Sequence, residues 1–212
     1  MTHETVVLDL DTQFDLVMPE GGWPVPGAYG LLPNLERLTR YARMYSLRVI
    51  ATAQALTPGD SRFQANGGVE PPHCIQGTPG QAKIFATRPA QPLVVQNRIY
   101  PPGELEKLAA GAREIVLETS GPDPMSNPNG AHLLAGVRNA ILFGVAADGA
   151  ILTAARVLLK MGLTVDVVQN AVAARSTEPA SLEKAMAEMT TLGARFIRDI
   201  DLMTRFTTAR HR

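Results

Sequence analysis

The chain has 212 residues, and its twenty basic side chains balance twenty acidic ones. That length suits one α/β domain over residues 1–212, and 45% apolar against 19% charged residues makes a packed core rather than disorder. Zero net charge gives no field to recommend nucleic acid or an acidic membrane as a partner, and a single cysteine, Cys74, excludes both an internal disulfide and a cysteine-built zinc cluster.

The opening MTHETVVLDL has no basic segment followed by a long apolar run, so no signal peptide is expected. The apolar stretches fall short of a membrane span, and a cytoplasmic location is the default expectation. Residues Thr5 to Leu10 (TVVLDL) read as a buried strand. Leu35, Leu38, Ala42 and Tyr45 recur at helical spacing and predict a helix from Pro33 to Tyr45, with the proline tolerated in its first turn. Arg48 to Ala53 is a second strand, followed by a long loop over 54–82 rich in Gly, Pro and polar groups. Leu93 to Gln96 suits a short strand, Glu104 to Ala110 a short helix, and Glu114 to Glu118 a clear third strand.

A second irregular segment, TSGPDPMSNPNG, covers Thr119 to Gly130. Ala140 to Phe143 is another buried strand. Asp148 is placed to cap a helix ending at Gly162, with Ile151, Ala155, Leu158 and Leu159 as its apolar stripe. Thr164 to Val168 is the next strand. Ser181 is placed to cap a helix that Gly193 stops, and Ala194 to Ile197 adds a candidate edge strand. Met186, Met189 and Leu192 read as core or subunit surface, and the Arg-rich tail TRFTTARHR as a solvated terminus. Strands alternating with helices predict a three-layer α/β/α sandwich around a mostly parallel sheet of about six strands. Ligands bind such sheets beyond the carboxyl ends of the strands. Asp11, the 54–80 loop, Thr119 onward and Gly144 to Ala150 are therefore the places to look for chemistry.

Four stretches carry a family resemblance. LDLDTQFDL, Leu8 to Leu16, is similar to a hydrophobic-Asp-x-Gln-x-Asp-Phe opening, with Leu16 in place of the usual Phe. PPHCIQGTPG, Pro71 to Gly80, is similar to a Pro-x-His-Cys-x-x-Gly-Thr-x-Gly loop and is the most specific match. The others are SNPN, Ser126 to Asn129, and the run from Phe143 to Ala173, in which Gln169-Asn170-Ala171 stands where an Asp-Ala is usual. Together these stretches resemble the isochorismatase/nicotinamidase superfamily of cysteine hydrolases. The resemblance implies that family's α/β/α fold.

In that family an Asp, a Lys and a Cys meet at the strand ends. The Asp takes the thiol proton, the Lys favours developing negative charge, and the thiolate attacks a carbonyl-type carbon. The resemblance puts the Asp on Asp11 and the Cys on Ala150. The Lys falls on Thr119, or, by a looser alignment, on Asn97. Only Asp11 is retained. The turn at Gly144 to Ala146 would carry the family's cis peptide, and backbone around Val145, Ala146 and Ala150 would form its oxyanion-type donors. Gln13, Asp15 and His73 are candidate pocket residues. The family's divalent-metal positions fall on Ala55 and Thr57, with Asp60 near a further one, so His73 alone survives and no metal or other cofactor is expected. Cys74 reads as a small buried loop residue. Trp23, Tyr29 and Tyr100 are aromatics that line a ligand pocket or pack loops.

Two functions stay open. One is a non-catalytic member with a small-molecule pocket and a binding or assembly role. The other is a water-using hydrolase of the isochorismatase kind, in which Asp11 protonates a vinyl ether. Thiol-dependent amide hydrolysis is not expected. The resemblance to oligomeric hydrolases also implies a homo-oligomer.

Overall fold

The computed structural model describes residues 4–178 and 180–209. A seven-stranded sheet runs in the order β3-β4-β2-β1-β5-β6-β7. Its strands are β1 (Thr5–Leu10), β2 (Arg48–Gln54), β3 (Leu93–Val95), β4 (Glu114–Thr119), β5 (Asn139–Val145), β6 (Thr164–Ala173) and β7 (Arg195–Ile197). All six pairings are parallel. The count of about six strands is corrected to seven, because both short candidates, β3 and β7, pair fully and form the two edges.

Strand residues alternate between two cores, as the two-residue period of a strand requires. Val6, Leu8 and Leu10 of β1 face one cluster and Val7 the other. The same division separates Ala140 and Leu142 from Ile141 and Phe143 in β5. The first cluster is covered by α3 (Glu104–Ala109), α4 (Gly130–Leu133), α5 (Leu152–Lys160) and α6 (Ser181–Leu192). The second is covered by α1 (Phe14–Val17), α2 (Leu32–Met44) and α7 (Asp199–Ala209). Met189 lies in the first core, with Met186 packed against it.

Two local expectations need correction. Asp148 caps no helix of its own. It lies in a π-helical turn, Ala147–Ile151, and its carboxylate accepts the backbone N–H groups of Arg175 (2.7 Å) and Ser176 (2.9 Å). Ser181 is the first residue of α6 rather than its cap, and its hydroxyl donates to Ser176 O at 2.8 Å; Gly193, at φ 104°, does end the helix. The tail read as a solvated terminus starts within α7, which runs to Ala209; residues 210–212 lie outside those described. That helix docks through Asp199, which accepts from Arg37 at 2.6 Å and Asn170 at 2.7 Å.

Beneath the carboxyl ends of β1 and β2 lies a buried ion pair. The Lys83 ammonium sits 2.9 Å from the Asp9 carboxylate and also donates to Thr52 O at 3.1 Å. Thr12 donates to the other Asp9 oxygen at 2.6 Å. Removing one partner of such a pair strands a charge in the core, whereas replacing both with apolar groups leaves none. Lys83→Met is therefore expected to cost about 3–5 kcal/mol in urea unfolding, and Asp9→Leu combined with Lys83→Met to recover most of that loss.

Candidate active site

β1 and β5 are neighbours at the point where the chain, having filled one half of the sheet, returns to fill the other. A crevice opens at the carboxyl ends of strands at such a point. Asp11 is the first residue beyond β1. It holds a left-handed backbone conformation (φ 52°), and a tight turn closes from Gln13 N to Asp11 O at 2.7 Å. Its carboxylate is 1% exposed. The Thr52 hydroxyl accepts from Asp11 N at 3.0 Å and donates to Asp11 Oδ1, and Gln54 Nε2 donates to Oδ2 at 2.7 Å. Both donors come from β2, where alternate residues face the same side. Burial pushes the Asp11 carboxyl above the usual carboxylate range. The bonds from Thr52 and Gln54 and the Lys83 charge oppose that rise, and Asp9 adds to it.

Asp11 lines a cavity of about 220 Å³. Gln54 from β2 lines it too, as do Val145, Ala146, Gly149 and Ala150 from the end of β5 and the turn that follows. Trp23, Arg62, Glu70, His73 and Pro122 come from the long loops, and Arg175 from the residues after β6. The Val145–Ala146 peptide is cis, as the resemblance implies for this turn. Gly144 is required just before it: at φ 121°, any Cβ would lie 2.0 Å from Leu10 O. The register of β5 against β6 shifts at the same place.

The expected site residues separate into two groups. Asp11, His73, Val145, Ala146 and Ala150 line the cavity. Gln13, Asp15 and Thr119 are not among its lining residues, and each has a structural position instead. Gln13 clamps β2 to the 81–84 segment, accepting from Gln54 N at 2.8 Å and donating to Gln54 O and Gln81 O. Asp15 accepts from Gly22 N at 2.8 Å and Cys74 N at 2.7 Å, and so fastens two loops together. Thr119 ends β4 in register with Gln54, and its buried hydroxyl has no hydrogen-bond partner. Asn127 and Asn129 of the SNPN stretch tie the second irregular segment to the ends of β4 and β3: Asn127 donates to Glu118 O at 2.7 Å and Asn129 to Arg98 O at 2.8 Å.

His73 donates Nδ1–H to Pro71 O at 2.9 Å, and burial lowers its pKa, so the ring is neutral near pH 7. Ala55 and the exposed Thr57 offer nothing to join it in a metal shell, and among the described residues no three His, Cys, Asp or Glu side chains converge. The residues present therefore do not fit the family's metal. Asp60 instead pairs with Arg62 (3.0 and 2.9 Å), which holds its carboxyl near 2. Cys74 is fully buried, and burial raises its thiol pKa well above the ordinary value, which makes it an unreactive loop residue. Of the loop aromatics only Trp23 lines the cavity; Tyr29 is exposed, and Tyr100 accepts from Gln96 N at 3.0 Å.

Reading the chain residue by residue missed Lys83, Glu70 and Arg175. Nothing local marks them. Lys83 lies 74 residues from the Asp9 it neutralises, and Glu70 and Arg175 become neighbours only when two separate loops close over the strand ends. A buried Asp9 within an otherwise apolar strand was the one available signal, because a core carboxylate demands a partner.

This arrangement can be set beside known proteins. Residues 5–200 match the family described as Isochorismatase domain. Pyrazinamidase of Pyrococcus horikoshii, solved with zinc, superposes with a TM-score of 0.74 at 22% identity, covering 92% of this chain and 99% of that one. An isochorismatase family protein from Desulfovibrio vulgaris gives 0.72 at 22%, covering 99% and 100%. The pyrazinamidase/nicotinamidase of Streptococcus mutans gives 0.72 at 22%, covering 91% and 99%. At these identities the superpositions establish the fold alone. No curated protein matches. With the family match extending over most of its length, and the cavity lying at the strand ends where its fold places one, the chain belongs to the isochorismatase family.

Proposed function

We propose that this family member keeps a small-molecule pocket but performs no thiol-dependent hydrolysis. The observation that supports the reading is that Asp11 and Ala150 both line the cavity; the resemblance puts the family's acid–base residue on the first and its thiol on the second, which has only a methyl group. Amide carbon is a poor electrophile, and without a thiolate the attack is left to water. Among the described residues no lysine lines the cavity either. Thr119 is uncharged, and the Lys83 ammonium is committed to Asp9 and to backbone. The pocket itself persists because cavity-lining loops are fastened by Gln13, Asp15, Asn127 and Arg62, none of which depends on the missing groups.

Trp23 is the sole tryptophan and lines the cavity, so its fluorescence reports occupancy directly. A pool of small metabolites is expected to shift that fluorescence and to leave at least one compound retained on the protein by mass spectrometry. An unchanged signal with nothing retained would count against a ligand pocket.

A panel of amides, nicotinamide and carbamoyl compounds included, is expected to show no turnover above the uncatalysed rate. Ala150→Cys is expected to restore less than about a thousandth of what a complete triad supplies, because the members of such a unit lose their value separately. Here Asp11 is already held by Thr52 and Gln54. Steady-state assay of wild type and variant checks both points.

One observation favours a second reading. Burial raises the Asp11 pKa, so this carboxyl holds its proton to higher pH than an ordinary aspartate and is suited to protonate a substrate carbon, with water completing a vinyl-ether hydrolysis. Asp11→Asn separates the two readings. Wild-type hydrolysis of vinyl ethers abolished by this change would establish the water-using reaction; no activity in either protein supports the binding role. The same variant has a stability signature. Between the unfolded and folded pKa the native state binds more protons, so stability falls as pH rises through that window, and the cost persists at neutral pH. Asparagine removes the charge, and rotating the Gln54 amide turns its unpartnered Oε1 toward the new donor. Asp11→Asn is expected to be more stable than wild type at pH 7, with the advantage vanishing as pH falls below the ordinary aspartate range; thermal melts across pH check it.

A further inference from the structure

The cavity holds two opposite charges that lack ion-pair partners at bonding distance. Arg175 lines it directly after β6. One Nη–H donates to Trp23 O at 2.7 Å, and the guanidinium lies 3.7 Å above the Trp23 ring. Among the described residues no carboxylate lies within ion-pair distance of it. Asp148, the acid that acts most strongly on it, has both oxygens occupied by the backbone N–H groups of residues 175 and 176. The other cation on the wall, Arg62, is already held by Asp60 and by Ser120 O at 2.8 Å. A guanidinium has five N–H donors in a planar fork, so Arg175 has donors to spare for a planar anion.

The negative partner is Glu70. Its Oε2 is buried without a hydrogen-bond partner and lies 3.8 Å from His73 Nε2. His73 spends its Nδ1 proton on Pro71 O, which leaves Nε2 an acceptor. Two acceptors therefore face each other across the cavity lining with no donor between them. Trp23 touches both groups: the Arg175 guanidinium lies over its ring, and its centroid is 4.7 Å from that of the His73 ring.

We propose that the occupant of this cavity is a small dipolar acid, its carboxylate held by Arg175 and its N–H group shared between Glu70 Oε2 and His73 Nε2, with the chain between them against Trp23. The proposal rests on the reading of the cavity as a ligand pocket, and it assigns Arg175 and Glu70 as specificity residues. Each end of such a ligand satisfies a group the protein leaves unsatisfied, and a compound with only one end leaves the other charge desolvated and unpaired. A bidentate fork also distinguishes Arg175 from a lysine, which presents a point charge.

The test is Trp23 fluorescence, with calorimetry, on the whole chain. The probes are glycine, β-alanine, 4-aminobutyrate and their N-acetyl derivatives, each amino acid beside a partner lacking the amino group (acetate, propionate, butyrate) or the carboxylate (methylamine, ethylamine, propylamine). At least one dipolar acid is expected to bind tenfold or more tighter than either of its halves. Arg175→Met should remove tenfold or more of that affinity, with partial rescue in Arg175→Lys, and Glu70→Gln should weaken the ammonium-bearing ligand more than its N-acetyl derivative. Thermal melts confirm that each variant is folded. Equal binding of the halves, no binding across the whole series, or full affinity in both Arg175→Met and Glu70→Gln would overturn the inference. In each case a compound retained from the metabolite pool leaves the ligand-pocket reading standing, so the two fail separately.

Discussion

A carboxylate buried just beyond a strand is expensive to keep, and the cost of Asp11 organises what surrounds it. Its two oxygens take one bond each from Thr52 and Gln54. Those donors are in place only because β2 lies beside β1 in parallel register, with Leu8 opposite Ile50 and Asp9 opposite Ala51. Lys83 supplies positive potential from below, and it can be buried there only because Asp9 neutralises it. The acid, two strand neighbours, one lysine and a second acid thus form one connected electrostatic unit.

The cavity beside this unit does not depend on any one reactive side chain. A nucleophile or a lysine is a single side chain. The cavity is bounded by backbone: the β5 end with its cis Val145–Ala146 peptide, the close approach that makes Gly144 necessary, and loops pinned to strand ends by Gln13 and Asn127. Asp15 adds a further restraint, since a Cβ at Gly80 would lie 2.0 Å from its Oδ2. Losing chemistry and losing the pocket are different events for this reason. The first takes the change of a side chain, whereas the second requires loops held by many independent bonds to collapse.

Most of the cavity's ionisable groups lie in its loops. At the end of β1 stands Asp11. The loops hold Glu70, His73, Arg62 and Arg175 around Trp23. Loops tolerate such change because their backbone is satisfied locally, as in the Asp60–Arg62 turn, while strand ends are constrained by the sheet. Selection of a ligand can therefore change through loop residues while the sheet keeps its geometry.

What the sequence determined by itself was whatever depends on local pattern or on a motif. β-branched runs and helical spacing mark nearly every strand and helix, and the Asp-x-Gln-x-Asp and His-Cys loop motifs mark where the strand ends open. The absence of sulfur at Ala150 and of ligands at Ala55 and Thr57 is legible for the same reason, since one position answers each question. Tertiary structure decided what depends on segments far apart in the chain. It gave Gln13 and Asp15 structural bonds in place of a cavity wall and turned Asp148 from a helix cap into an acceptor for the chain after β6. It also paired Asp9 with Lys83 and set Arg175 and Glu70 around one tryptophan. A hydrogen-bond partner is chosen by position in space, and no periodicity in the chain records a contact between residues 74 or 152 positions apart.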